Sequence, residues 1–362
     1  MVELNQRGCN LQVRPPRFNY YVQQRVVFDL FLPAFLPRLN GREARRHRFA
    51  MKISVITATL NSAEFLSECI ASVLRQEDGE VEHIIVDGGS TDDTLQIARS
   101  SPHLLVVVRP GCSIYEAWNI GLDVATGDLI GFCNSDDYYA PDAFAPIRQQ
   151  AAARLDAWMI SGKAVRFAHR PAGNEVILGE HFDKVPNRLH FEDLDVFGPA
   201  PNARFFTRKL ISRIGKFDTR FRLGSDCSYL MEIALLRLPV AHVPDVVYYY
   251  RSHGKSASLG GNIDGLATGL DEKLMIANEF MRKHRLQPAE LRHLRRAMAV
   301  QLNSTIIEAV RAGHWRLAAT LAGRMRLLGA AGPIAVFGET CRVACRFVAK
   351  RAGRLAQGRG HA

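Results

Sequence analysis

The sequence predicts an α/β protein: a mostly parallel sheet flanked by helices, followed by a C-terminal helical region. Three observations lead there. Short apolar runs alternate with helix-period segments from residue 51 onward, as in βαβ units whose sheet is covered on both faces. Three of those runs end in polar loops, Thr57-Ala58-Thr59-Leu60-Asn61, Asp87-Gly88-Gly89-Ser90 and Asn134-Ser135-Asp136-Asp137, at the carboxyl ends of strands where open sheets bind ligands. Beyond about residue 260 the strand-like runs stop and apolar positions recur at helical spacing.

The elements follow in order. Residues 1–50 read as a basic extension. Its apolar stretch Val26–Pro37 is about half the ~20 residues of a membrane-spanning helix and holds Asp29 and two prolines. It also lacks a secretory cleavage signature, and Met51 stands directly before the first good strand, which makes it a candidate natural start. Lys52–Ala58 is that strand, and Phe65, Leu66, Cys69, Ile70, Val73 and Leu74 mark a helix after it. His83–Val86 is the second strand, with Ser90 and Asp93 placed to form a capping box for the next helix. Leu104–Val108 is the third. Ser113 and Glu116 form a second capping box, for a helix reaching Ala125, and Gly127 stops it. The fourth strand, Leu129–Cys133, delivers Asp136 and Asp137 at its tip. Two adjacent carboxylates repel unless they are solvated or a cation joins them. A solvated turn, with Asp137 capping a helix near Pro141, competes with a cation site.

Composition sets the limits on function. With 362 residues and 47% hydrophobic content the chain can fill one large core or two ordinary ones. Seven scattered cysteines without Cys-x-x-Cys spacing fit a reducing cytoplasm and no zinc site. The net charge of +11 divides into +6 over residues 1–50, −8 over 51–280 and +13 over 281–362. The central body is therefore acidic, and the high isoelectric point is no sign of nucleic-acid binding. Neither Gly-x-Gly-x-x-Gly nor a Walker loop follows the first strand, which excludes a dinucleotide cradle and leaves phosphate to be held by a metal ion.

Ile53–Asn61, Val86-Asp87-Gly88-Gly89-Ser90-Thr91-Asp92-Asp93-Thr94, Ala125-Thr126-Gly127-Asp128 and Asn134-Ser135-Asp136-Asp137, in that order, resemble the inverting family 2 glycosyltransferases of the GT-A, Rossmann-like fold. The likeness continues through Ile214–Asp218 and Gly224-Ser225-Asp226 to Tyr250-Arg251-Ser252-His253. It divides the chain into an extension (1–50), a GT-A domain (51–260) and a basic helical region (261–362). Ser113–Asn119 is similar to a form found in members that build bacterial surface polysaccharides.

The resemblance implies metal-dependent, inverting transfer from a nucleotide sugar, a UDP-sugar first, to a hydroxyl of a saccharide or lipid-linked saccharide. Such a transfer needs a cation, Mn²⁺ or Mg²⁺, on the leaving diphosphate and a base on the acceptor hydroxyl. Asp137 is the expected metal ligand. Asp136 shares the metal or meets the ribose, and Asp87 accepts from the base of the nucleotide. Thr57 and Asn61 line the nucleotide site, His253 adds a metal or phosphate ligand, and Arg251 pairs with phosphate. Asp226 is the expected general base, with a plain helix N-cap as its alternative. The chain departs from the pattern at Trp118, where relatives carry an arginine, and at Gly198–Ala203 on the acceptor side. Two other functions compete: a non-catalytic nucleotide-sugar-binding scaffold, which has no need of Asp226, and a sugar nucleotidyltransferase, which wants a loop rich in glycine and in arginine or lysine after the first strand.

The tail adds a further expectation. Ile334, Phe337, Cys341, Cys345 and Val348 line one side of a helix, beside Arg342, Arg346, Lys350 and Arg354. That pattern suits an anionic membrane surface at the inner face of the cell membrane, or packing on the protein's own domain.

Overall fold

The computed structural model describes residues 51–76, 79–169, 175–181, 189–194, 201–254 and 263–327. The extension 1–50 and the amphipathic tail from Pro333 lie outside the described residues. Among the described residues nine strands form one sheet: β1 (Ile53–Thr59), β2 (Val81–Asp87), β3 (Leu104–Val108), β4 (Leu129–Phe132), β5 (Tyr138–Tyr139), β6 (Met159–His169), β7 (Glu175–His181), β8 (Arg204–Thr207) and β9 (Val240–Arg251). Their order is β3-β2-β1-β4-β8-β6-β9-β5, with β7 paired to β6.

The first four strands are parallel, as the alternating sequence requires. The other half is mixed. β8 runs antiparallel between β4 and β6, β6 and β9 are parallel, and β5 and β7 pair antiparallel with β9 and β6. β1 connects to β2 on one side and lies beside β4 on the other, so the chain reverses its winding there. The crevice outside such a point is where doubly wound sheets take ligands.

Helices α1 (Leu66–Leu74), α2 (Thr94–Arg99), α3 (Ile114–Val124), α4 (Phe144–Ala153), α5 (Arg208–Ile214) and α6 (Ser225–Leu235) cover the sheet. The Ser113/Glu116 capping box forms as expected at the start of α3. The Ser90/Asp93 box does not. Ser90 turns to Asp87 instead, and Asp92 Oδ1 accepts from the Thr94 N–H and hydroxyl at 3.1 and 2.5 Å. The nearby strand tip offers Ser90 a carboxylate, which displaces the local cap.

Ala125-Thr126-Gly127-Asp128 lies at the opposite, amino-terminal edge of the parallel strands. A Cβ on Gly127 would sit 2.6 Å from the Ser54 backbone nitrogen, so only glycine fits. Thr126 donates twice to Glu82, and Asp128 Oδ2 accepts from the Lys52 N–H at 2.9 Å. This motif builds the sheet and does not touch the site. Buried Arg148 on α4 works at the same edge, donating to Met51 O at 2.9 Å and Glu80 O at 2.7 Å.

Three further helices, α7 (Ile263–Lys283), α8 (Pro288–Arg311) and α9 (Trp315–Leu327), close the described chain. Ile276, Ala277 and Phe280 of α7 and Leu294 and Met298 of α8 share one buried cluster with Trp118, Phe132, Phe217, Tyr229 and Leu230. Trp118 is thus a core residue, 4.6 Å ring to ring from Phe132. Beside it Asn119 exchanges two hydrogen bonds of 2.9 Å with the Phe217 backbone. Among the described residues no helix is long and apolar enough to cross a membrane.

Candidate active site

The tips of β1 and β2 are tied to each other before any ligand arrives. Asp87 ends β2 fully buried and meets four donors: Thr59 Oγ1 at 2.9 Å, Gly89 N at 2.9 Å, Ser90 N at 2.8 Å and Ser90 Oγ at 2.6 Å. Burial acts to raise its carboxyl, but the hydrogen bonds from Ser90, Gly89 and Thr59 prevail and hold it below the usual carboxylate range. Its observed work is to shape the turn, in which Gly89 takes φ +95°.

Thr57 lies deeper. It is fully buried within the sheet face, 3.0 Å from His83 Nε2 and 3.9 Å from Cys69 Sγ, and does not line a cleft. Thr59, two residues on, reaches the tip instead. Asn61 does lie at the surface of the tip. It adopts φ +50°, which asparagine tolerates, and its Oδ1 accepts from Thr91 N at 2.9 Å while its own N–H donates to Ser90 Oγ at 2.9 Å.

At the β4 tip the adjacent acids part company. Asp137 is buried, and Arg251 N (2.7 Å), Tyr248 OH (2.7 Å) and Asn134 Nδ2 (2.8 Å) occupy both its oxygens. Burial, then the Asp136 charge, push its carboxyl well above the ordinary value, against these three donors. Buried and held by three donors, it is no solvated helix cap. It is the knot that joins β4 to β9. Asp136 faces out, its side chain 28% exposed, and its Oδ2 lies 2.8 Å from Nε2 of His253, itself 20% exposed. The His253 ring rests on Phe65, centroids 4.9 Å apart.

Arg251 is buried beside Asp137. Its guanidinium pairs with Glu68, donates through Nε to Asp136 O at 2.8 Å, and lies 4.8 to 5.6 Å from the Phe65, Phe167 and Tyr138 rings. Enclosed this way it braces the acidic loop. Asn202 does the same from the other side, its Nδ2 3.3 Å from Asn134 Oδ1.

Asp226 sits in the first turn of α6, whose N-cap is Gly224. It is half-buried, and its Oδ1 accepts from Tyr115 OH and Cys227 N, both at 2.9 Å. Burial raises its carboxyl above the usual range, opposed by the Tyr115 hydrogen bond and by the Cys227 N–H. A carboxylate with a raised pKa is a better proton acceptor at neutral pH than an ordinary one.

Tyr115, Tyr248, Thr59 and Asn202 were not legible as site residues. Tyr248 falls in an apolar run whose pattern signals burial alone, and Tyr115 stands in a stretch matched as a whole without a role for the ring. Only a polar handle on a buried ring, which needs a partner, marks them.

The comparisons bear on family and fold. The sequence profile described as Glycosyl transferase family 2 matches residues 54–215. A PGL/p-HBAD biosynthesis glycosyltransferase of Mycobacterium tuberculosis is 32% identical over 186 residues, covering 50% of this chain and 68% of that protein. An uncharacterized glycosyltransferase of the same species is 30% identical over 199 residues, 53% of this chain and 72% of that one. Among solved structures, S. aureus TarS 1–349 superposes with a TM-score of 0.53 at 19% identity over 80% of this chain and 89% of that one. Of the longer TarS chain this one covers 43%, with a TM-score of 0.50 at 20% identity. The TarS likeness speaks for the GT-A fold.

Proposed function

The chain belongs to glycosyl transferase family 2, and we propose that it moves a sugar, with inversion, from a nucleotide sugar to a hydroxyl of a saccharide or lipid-linked saccharide used in surface polysaccharide synthesis. The observation that carries this reading is the outward pair Asp136 and His253, 2.8 Å apart at the tips of β4 and β9, on the sheet crevice that also holds the β1 and β2 tips.

One carboxylate oxygen and one imidazole nitrogen suit Mn²⁺ or Mg²⁺, which take few protein ligands and complete their shell with phosphate oxygens and water. Among the described residues no group of three or more His, Cys, Asp or Glu could hold an ion, so the donor's diphosphate is the natural source of the rest. Bound there, the cation would offset charge on the leaving diphosphate. Asp136 and His253 hold it in this reading, in place of the buried Asp137.

The protein's own chemistry lies with Asp226. It takes the proton of the acceptor hydroxyl while the acceptor oxygen bonds the anomeric carbon and the bond to the diphosphate breaks. One base and no enzyme nucleophile give a single displacement, hence inversion. TarS 1–349 has been solved with UDP-GlcNAc, which makes that the first donor to test; the hexosyl or N-acetylhexosaminyl class follows from the screen.

The test is hydrolysis of UDP-GlcNAc, UDP-glucose and GDP-mannose, with Mn²⁺, Mg²⁺ or EDTA, alongside calorimetry of nucleotide binding. One donor should turn over, only with metal. Asp226→Asn should bind nucleotide normally and lose about 10²- to 10⁴-fold in turnover. Near-normal turnover by the folded variant overturns the assignment of the base.

A further inference from the structure

Tyr115 opens α3 from within the core, far in sequence from the base it touches. Its ring stacks on Phe217, centroids 5.8 Å apart and planes at 23°, and meets Trp118 edge-on at 5.5 Å. Phe217 in turn stacks on Tyr229 at 4.2 Å. The ring is 3% exposed, yet its hydroxyl emerges 2.9 Å from Asp226 Oδ1. Asn119, one turn further along α3, holds the Phe217 backbone through two hydrogen bonds. The helix therefore grips both the carboxylate and the segment leading to it.

We propose that Tyr115 is a positioning residue for the transfer reaction: its hydroxyl, with the Cys227 N–H, claims Asp226 Oδ1 and turns Oδ2 toward the acceptor hydroxyl. The inference rests on Asp226 being the base. A rigid ring suits this work, because it has few rotamers to freeze and its position is fixed by packing against Phe217 and Trp118. The arrangement also sets when the base is available. A donor to a carboxylate favours the anion, so Tyr115 opposes the upward push of burial on Asp226. The other groups acting on Asp226 are Cys227 on its own helix and the Lys273 ammonium on α7, which also favours the anion.

Tyr115→Phe keeps the ring and deletes one hydroxyl, so the stack survives and only the hydrogen bond is lost. Two measurements on the full chain test the idea. With ¹³Cγ-labelled aspartate, and Asp226→Asn to identify the signal, the Asp226 titration midpoint should rise by roughly one pH unit in Tyr115→Phe. The acid limb of kcat/KM for UDP-GlcNAc hydrolysis with Mn²⁺ should rise with it, while nucleotide affinity stays the same. A midpoint that does not move overturns the proposal, as does a moved midpoint with an unmoved acid limb. A uniform loss of rate at every pH would mean that Tyr115 is merely structural, and it too overturns the proposal. Full hydrolysis by Asp226→Asn instead overturns the base itself, so the two failures are told apart.

Discussion

Asp136 and Asp137 are neighbours with opposite environments, and the difference can be measured. Removing the Asp137 side chain would strand three donors, Tyr248 OH, Asn134 Nδ2 and the Arg251 N–H, in a buried site. Each buried unsatisfied group costs about 1–3 kcal/mol. Asp137→Ala should therefore lower stability in urea unfolding by several kcal/mol, on the order of half the total for an ordinary domain. Asp136→Ala strands no buried donor on its side chain and should unfold near the natural midpoint. It should instead lose the metal dependence of UDP binding in calorimetry. If Asp136→Ala keeps that dependence and a folded Asp137→Ala does not, the ligand is Asp137 after all. The paired acids were plain in the sequence. Which one faced solvent was not, because adjacent residues at a strand tip leave the β pattern, and their directions are decided by Tyr248 and Arg251 more than a hundred positions later.

At the scale of elements, the parallel strands and α3 were legible because each has a local signal: an apolar run, a capping box, a glycine stop. Antiparallel β8, the two-residue β5 and the β6–β7 pairing were not, since nothing local in Arg204–Thr207 says that it slots between β4 and β6. The support under the base was equally hidden. Glu272 on α7 accepts from the Arg222 N–H at 3.0 Å and the Leu223 N–H at 2.8 Å, immediately before Asp226. Gly224 lets α7 close in, because a Cβ there would lie 2.6 Å from Ile276 Cδ1. Helix α7 thus holds the loop that leads to Asp226, the proposed base. Glu272→Ala should lower kcat by about tenfold, equivalent to ~1.4 kcal/mol of lost positioning, with nucleotide affinity unchanged. Glu272→Gln, which keeps an accepting oxygen, should recover part of the rate. An unaltered kcat in Glu272→Ala would show that the loop is held without this clamp.

For the whole molecule, composition changes near residue 260 while the packing does not. The sequence shows an acidic body and a basic helical end, and charge alone suggests two separable parts. Burial answers differently. Ile276, Phe280, Leu294 and Met298 are each at most 3% exposed, within the cluster that contains Trp118, Phe132 and Tyr229, and Phe280 stacks on Phe191 at 5.6 Å. Burying a large apolar side chain contributes about 1.5–3 kcal/mol, so these four supply roughly 6–12 kcal/mol, as much as the net stability of a typical domain. Residues 51–254 on their own would expose the other side of that cluster and lose the Glu272 clamp as well. We expect such a chain to bind ANS strongly and to unfold without a cooperative transition in circular dichroism, whereas residues 51–362 unfold in one step. A cooperative transition of 51–254 near the midpoint of the longer chain would make the helical region a separate domain that happens to rest on the first.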